Sequence, residues 1–331
     1  MSDEADSSED LRAPAGDRRG LALLLFLGTC LSTLYVGASQ VGGRDPLDHL
    51  AGARGAASAL PALWEFARAL SRGWVFAAPL MAILLCHEFA HWFAMRHHRI
   101  PSTLPLFIPF PNVFGTMGAV IAMRDGVRSR DALVDVGASG PLAGLVVAIG
   151  VTALGLSRST IEPVAGRTDV FVEGDSLLYL ALKRLVCGPI PPGHDVWLHP
   201  IAFAGWVGLF MTMMNLLPIG QLDGGHVAYA IFGPRYDRWS SRVVRAVALW
   251  AAGLAGYLAL TTPRARWSSE LFTPATVWAL WSLVTWMVLR SSGGRHPPTE
   301  DETLSPSRRA VGWFTLALFV ALFMPLPVQL H

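Results

Sequence analysis

The sequence predicts an all-α, polytopic membrane protein of about seven transmembrane helices, with one apolar segment among them that cannot be helical. Three observations predict it. Only 15% of the residues are charged and 52% are hydrophobic, whereas a soluble domain usually carries about 25% charged residues. The apolar residues gather into runs that suit a hydrocarbon core, which takes about 20 residues of helix to cross. One further run, residues 100–123, is equally apolar but is interrupted by prolines. The formal net charge of +2 leaves no electrostatic footprint for nucleic acid. Cys30, Cys86 and Cys187 form no C-x-x-C pair, so neither a disulfide framework nor a thiolate metal site is expected.

Taken in order, residues 1–19 are polar and carry Asp3, Glu4, Asp6, Glu9 and Asp10 ahead of Arg18 and Arg19. They offer little to bury, so a disordered acidic tail is expected there. Residues 20–331 then form a single transmembrane domain. Its first span, Leu21 to Val41, follows too long and too acidic a lead-in for a cleaved signal peptide, and is expected to be retained. Further spans are expected at 74–95, 132–156, 200–218, 243–261, 273–289 and 310–328. Within the segment left over, Pro101, Pro105, Pro109 and Pro111 forbid a continuous helix. Non-helical backbone at membrane depth needs protein or a wet cavity around it, so this segment reads as a re-entrant loop or β-hairpin. The connection over 157–199 is expected to be too short for an added folded domain.

Orientation follows from where arginine accumulates. With the N-terminus in the cytoplasm, inside segments hold Arg18, Arg19, Arg96, Arg99, Arg124, Arg128, Arg130, Arg235, Arg238, Arg242, Arg290, Arg295, Arg308 and Arg309. Outside segments hold Arg44, Arg54, Arg68, Arg72, Arg158, Arg167, Lys183, Arg184, Arg264 and Arg266, fewer for their length. The bias favours a cytoplasmic N-terminus and a C-terminus on the opposite side.

The second span contains Cys86-His87-Glu88-Phe89-Ala90-His91. Histidines four apart on a helix share a face, so their imidazoles can converge on one ion. Glu88 falls beside that ion rather than on it, where a carboxylate can take a proton from a water made acidic by the metal. Three ionisable groups inside an apolar span each cost about 2.5–3.5 kcal/mol, which ordinarily marks a functional site. A catalytic metal needs a third protein ligand and an open position. Asp223 is the candidate, because Pro218 and Gly220 should break the fourth span and let it turn inward. Asp223 also reads as an ordinary helix-to-loop aspartate. Topology favours the ligand, since the second and fourth spans run in the same direction and bring His87, His91 and Asp223 to one depth. Among the other histidines, His97 and His98 fall at the interface and are expected to be solvated, while His226 can stand behind the ligands.

H-E-x-x-H on one membrane helix, followed by Asn215, Pro218, Asp223 and Gly224 in the order N-x-x-P-x-x-x-x-D-G, resembles the site-2 protease family of intramembrane metalloproteases. The intervening Gly140-Pro141-Leu142-Ala143-Gly144 matches the family's G-P-x-x-G segment. The resemblance covers about 74–230 as a catalytic core of three helices, with 240–331 as accessory C-terminal helices. It implies a zinc-dependent endopeptidase, with one Zn2+ per chain, that cuts the transmembrane segments of membrane proteins in the bilayer. No room is expected for the PDZ-like or nucleotide-binding domains of some relatives. His87, His91 and Asp223 match the metal ligands and Glu88 the catalytic glutamate. Asn215 matches an asparagine that holds substrate or the developing oxyanion, and reads equally as a polar bond between helices. Gly115 to Val120 resembles a strand beside the family's active site, to which an unfolded peptide can add. Gly140 and Gly144 read as close helix packing with no chemistry attached. The expected location is a bacterial cytoplasmic membrane, with the site near the cytoplasmic face. A metal-ion transporter also explains buried His and Asp, but not the placing of Glu88 or the Asn-Pro-Asp-Gly segment.

Overall fold

A computed structural model describes residues 15–42, 45–51, 56–123, 126–164, 171–261, 272–291, 293, 296–301 and 303–330. The acidic tail up to residue 14 lies outside the described residues, as do Arg44, Arg54, Arg124, Arg167, Arg264, Arg266 and Arg295 of the orientation argument. The chain divides into two compact units, residues 1–73 with 102–123, and residues 74–101 with 124–331.

The first unit holds α1 (Ala15–Gly42), the short α2 (Asp48–Ala51), α3 (Ala56–Arg72), and the strands β1 (Leu106–Pro109) and β2 (Thr116–Val120). Helix α1 begins inside the stretch expected to be a tail, because extending a formed helix adds a hydrogen bond for each residue fixed. The prolines of 100–123 give an antiparallel β1–β2 hairpin with Leu106 opposite Val120 and Phe107 opposite Ala119. Thr116 Oγ1 donates to the Ile108 carbonyl at 3.0 Å, bridging the pair where its register shifts. Phe107 then meets Phe26 of α1 edge-on, ring centroids 5.5 Å apart.

The second unit is built on α4 (Trp74–His97), α5 (Arg130–Leu156) and α7 (Pro200–Asn215), which pack on one another. Small residues set how closely they approach. A Cβ on Gly155 or Gly205 of these helices would strike the backbone of Ala202 or Thr152, and one on Gly208 would meet Ile83. Phe203, Trp206 and Phe210 stack in series along α7, with Trp206 fully buried. The sequence after α7 breaks as Pro218 and Gly220 require, Gly220 having φ +54°. Helix α8 (Asp223–Phe232) follows, and a 3-10 turn joins it to α9 (Tyr236–Thr261). Then come α10 (Phe272–Ser291) and α11 (Pro306–Leu322), α11 packing on α5 and α8.

Between α5 and α7 lie β3 (Thr160–Pro163), β4 (Phe171–Glu173), α6 (Leu177–Cys187) and β5 (His194–Trp197). The described parts of this connection, 157–164 and 171–199, are therefore structured, with β3 paired to β5 and β4 paired to β6 (Val328–Leu330) at the far end of the chain. Helix α6 is amphipathic and is capped by Ser176, a pattern that a search for long apolar runs passes over. The last expected span, 310–328, is corrected: α11 stops at Leu322, because Pro325 and Pro327 cannot continue a helix and turn the chain into extended backbone.

The molecule is mostly helical. Among the described residues, four helical segments are long and apolar enough to cross a membrane, Arg19–Val41, Trp74–His97, Arg130–Leu156 and the α8–α9 run Asp223–Thr261, while the apolar α7 is shorter.

Candidate metal centre

Helix α4 presents His87, Glu88 and His91 from its buried face, each at most 6% exposed. Helix α8 presents Asp223 from its first residue. The N-cap of α8 is Leu222, which offers no side-chain hydrogen bond, so neighbouring elements must hold this helix end. Gly220 N–H donates to Ser240 Oγ at 2.9 Å, and the Tyr236 hydroxyl donates to the Gly220 carbonyl at 3.2 Å. Gly224 lets the helix start tight against the turn, since a Cβ there would strike the Leu216 backbone.

Three ligand atoms converge. His87 Nε2 lies 3.1 Å from His91 Nε2, and Asp223 Oδ2 lies 3.2 Å from the first and 3.3 Å from the second. A tetrahedral ion with bonds of about 2.0–2.1 Å requires ligand atoms about 3.3–3.4 Å apart. The triangle is therefore close to one face of a zinc tetrahedron. The hydrogen bonding agrees: His91 Nδ1 donates to the Val136 carbonyl at 2.7 Å, so in the neutral ring Nε2 carries the lone pair that a metal needs. Two imidazole nitrogens and a carboxylate oxygen aimed at one point need a cation between them. Two imidazoles and a carboxylate, as N and O donors, suit zinc, and they leave the fourth position open.

Glu88 is buried beside this set but is not among the three converging atoms. Asn215, at the end of α7, has its side-chain nitrogen 3.3 Å from His87 Nε2, so its amide faces the same point. Gly140 and Gly144 do more than pack helices. A Cβ on Gly140 would collide with the His91 imidazole, and one on Gly144 would come within 3.1 Å of His87 Cβ. The two glycines of α5 are the clearance in which the ligand rings sit.

Residues 75–260 match the family model described as Peptidase family M50. The chain belongs to peptidase family M50. This is the site-2 protease family that the motifs resemble, and its members are embedded in membranes. With its four candidate spans, the chain is an integral membrane protein. The chain is 34% identical over 160 residues to a probable zinc metalloprotease EGY1, chloroplastic, of Arabidopsis thaliana, covering 46% of this chain and 29% of the relative. It is 31% identical over 180 residues to a probable zinc metalloprotease EGY2, chloroplastic, of Oryza sativa subsp. indica, covering 54% and 32%. The Arabidopsis thaliana EGY2 aligns over 246 residues at 27% identity, covering 74% and 40%. The chain thus spans about a third of the length of the curated relatives it matches first. No solved structure matches. Membership in a peptidase family gives no support to ion transport.

Among the remaining histidines, His98 is not simply solvated, since its Nε2 lies 2.9 Å from Asp135 Oδ2. His226 is buried and its Nδ1 lies 2.7 Å from Nε2 of His296. The sequence gives no signal for His296, a single histidine in a polar connection about 200 residues from the H-E-x-x-H motif.

Proposed function

We propose that this chain is an intramembrane zinc endopeptidase that cleaves transmembrane segments of membrane-protein substrates. One observation carries the reading: three ligand atoms lie within 4.8 Å of one another on buried helices, next to a buried carboxylate outside the set. His87, His91 and Asp223 would hold one zinc. The metal, when bound, supplies a Lewis acid that polarises the scissile carbonyl and makes an attacking water acidic at neutral pH.

The chain's own groups do the rest. Glu88 accepts the proton of the attacking water and returns it to the leaving amide nitrogen, so one carboxylate serves as base and then as acid. The Asn215 amide donates towards the carbonyl oxygen as negative charge builds on it. Burial of the set keeps bulk water out and strengthens each of these interactions. A substrate helix must surrender its own hydrogen bonds before a carbonyl can reach the site, which glycine or proline near the cut makes easier.

The reading extends to seven spans over residues 20–331, a core of 74–230 with accessory helices over 240–331, and a bacterial cytoplasmic membrane with the N-terminus and the site towards the cytoplasm. It is tested with Glu88→Gln in full-length protein in lipid vesicles, using a model transmembrane substrate. Cleavage is expected to fall at least about 100-fold while zinc per chain stays unchanged. Cleavage at the wild-type rate would remove Glu88 from the mechanism.

A further inference from the structure

His296 lies in the connection between α10 and α11, yet its side chain is as buried as that of His226 on α8, each 7% exposed. Its ring nitrogen Nδ1 faces the Pro297 carbonyl at 2.8 Å, and a carbonyl can only accept. The Nδ1 proton is thereby fixed, and with the ring neutral Nε2 is a lone pair. His226 Nδ1, 2.7 Å away, must then donate to it. The His296 ring also stacks on Tyr229 of α8 at 4.2 Å and 17°, and its backbone N–H donates to Asp237 Oδ1 of α9 at 3.0 Å. His296 fills a slot formed by the helix that carries Asp223 and the start of the next.

The same connection grips α5. Asp301 bonds through its backbone to Arg128 and Arg130, and Ser305 N–H donates to Asp131 Oδ1 at 2.8 Å. The Arg308 guanidinium reaches Asp135 Oδ2 at 3.2 Å. Asp135 immediately precedes Val136, whose carbonyl orients His91. The connection, with Arg308 in the first turn of α11 that follows it, thus holds the two elements that orient Asp223 and His91.

We infer that the α10–α11 connection, together with Arg308 in the first turn of α11, is a clasp that sets the metal centre, and that His296 is a positioning residue acting through His226 on the helix of Asp223. Removing the acceptor at His296 leaves the His226 N–H buried without a partner. Helix α8 has no side-chain cap of its own and is held at its start through Gly220 in the preceding turn, so a shift of the helix that relieves the buried N–H carries Asp223, its first residue, with it. The inference rests on the metal-centre reading above.

The experiment uses full-length protein in detergent, reads zinc retention against a graded chelator, and separates kcat from KM on a model transmembrane substrate. His296→Phe keeps a ring to stack on Tyr229 but cannot accept a hydrogen bond, whereas His296→Gln can. Phe is expected to lower zinc affinity by about tenfold or more and to reduce kcat with KM little changed; Gln is expected to stay within about threefold of wild type. Wild-type zinc affinity in the Phe variant overturns the inference, and so do equal losses in Phe and Gln, which would assign His296 to packing alone. Should the Phe variant fail to fold, Arg308→Gln tests the other arm. It is expected to release zinc about threefold more readily, and unchanged release overturns the clasp. A wild-type protein that holds zinc but cuts no transmembrane substrate refutes the protease reading and leaves the clasp standing, because zinc retention is read without turnover.

Discussion

At the scale of single residues, the centre depends as much on the absence of a side chain as on its ligands. Gly140 stands where any Cβ would occupy the space of the His91 imidazole. Gly140→Ala is therefore expected to push that ring off the convergence point and to lower zinc affinity by about tenfold or more, read as zinc per chain after chelator challenge. Gly150→Ala on the same helix meets open space and serves as the control expected to leave zinc unchanged. Equal zinc retention in both variants would show that the clearance at Gly140 is dispensable. His87, Glu88 and His91 were legible in the sequence because helix periodicity alone places two of them on one face and the third beside them. The role of Gly140 was not, because G-P-x-x-G looks the same whether the glycine faces a helix backbone or an imidazole. His296 was invisible for a related reason: a contact across α8 leaves no periodic trace in a connection.

At the scale of elements, long apolar helices announced themselves through hydropathy, while the short amphipathic pieces did not. Helices α3 and α6 carry enough polar residues to break an apolar run, and β4 finds its partner β6 more than 150 residues away. That β4–β6 pair has a buried carboxyl at its end. Glu173 is 8% exposed, accepts a hydrogen bond from the Tyr179 hydroxyl at 2.9 Å, and lies near Lys183, whose Nζ is 2.7 Å from Asp175. Burial, only partly offset by those bonds and by Lys183, pushes the Glu173 carboxyl up from its ordinary 4.5 to about 7, with Asp195 adding to the rise. Below pH 4.5 the carboxyl is protonated whether the region is folded or not, so the full contribution is present. As pH rises to 7 the unfolded chain ionises while the folded one keeps its proton, and up to about 3 kcal/mol is lost. Hydrogen exchange at the β4–β6 amides is expected to quicken across that window in the wild type and to change less in Glu173→Gln. Identical pH profiles for the two would show that Glu173 is ionised in the folded protein.

At the scale of the whole chain, the second unit sorts its connections to two ends. At one end, His98 meets Asp135, Asp301 bridges Ser129, and Tyr236 meets Gly220, which gathers the end of α4 with the starts of α5, α9 and α11. At the other end, Phe76 stacks on Phe203, Ser159 meets His199, Trp278 reaches Pro325, and β4 pairs with β6, which gathers the starts of α4, α7 and α10 with the end of α5 and the C-terminal strand. Arg96, Arg99, Arg128, Arg130, Arg235, Arg238, Arg242, Arg290, Arg308 and Arg309 belong to the first end, against Arg158, Lys183 and Arg184 at the second. Positive charge is retained on the cytoplasmic side during insertion, so the first end is expected to face the cytoplasm. Ser307 and Ser157 are exposed at opposite ends. With Cys30, Cys86 and Cys187 replaced, Ser307→Cys should react with an impermeant thiol reagent only from the cytoplasmic side, and Ser157→Cys only from the other. The opposite pattern would invert the orientation, and labelling of both from one side would mean that α5 does not cross the membrane. Because α4, which carries His87 and His91, and α5, against which their rings pack, are fixed to these ends by the same contacts, the labelling also decides to which side of the bilayer the metal centre lies nearer.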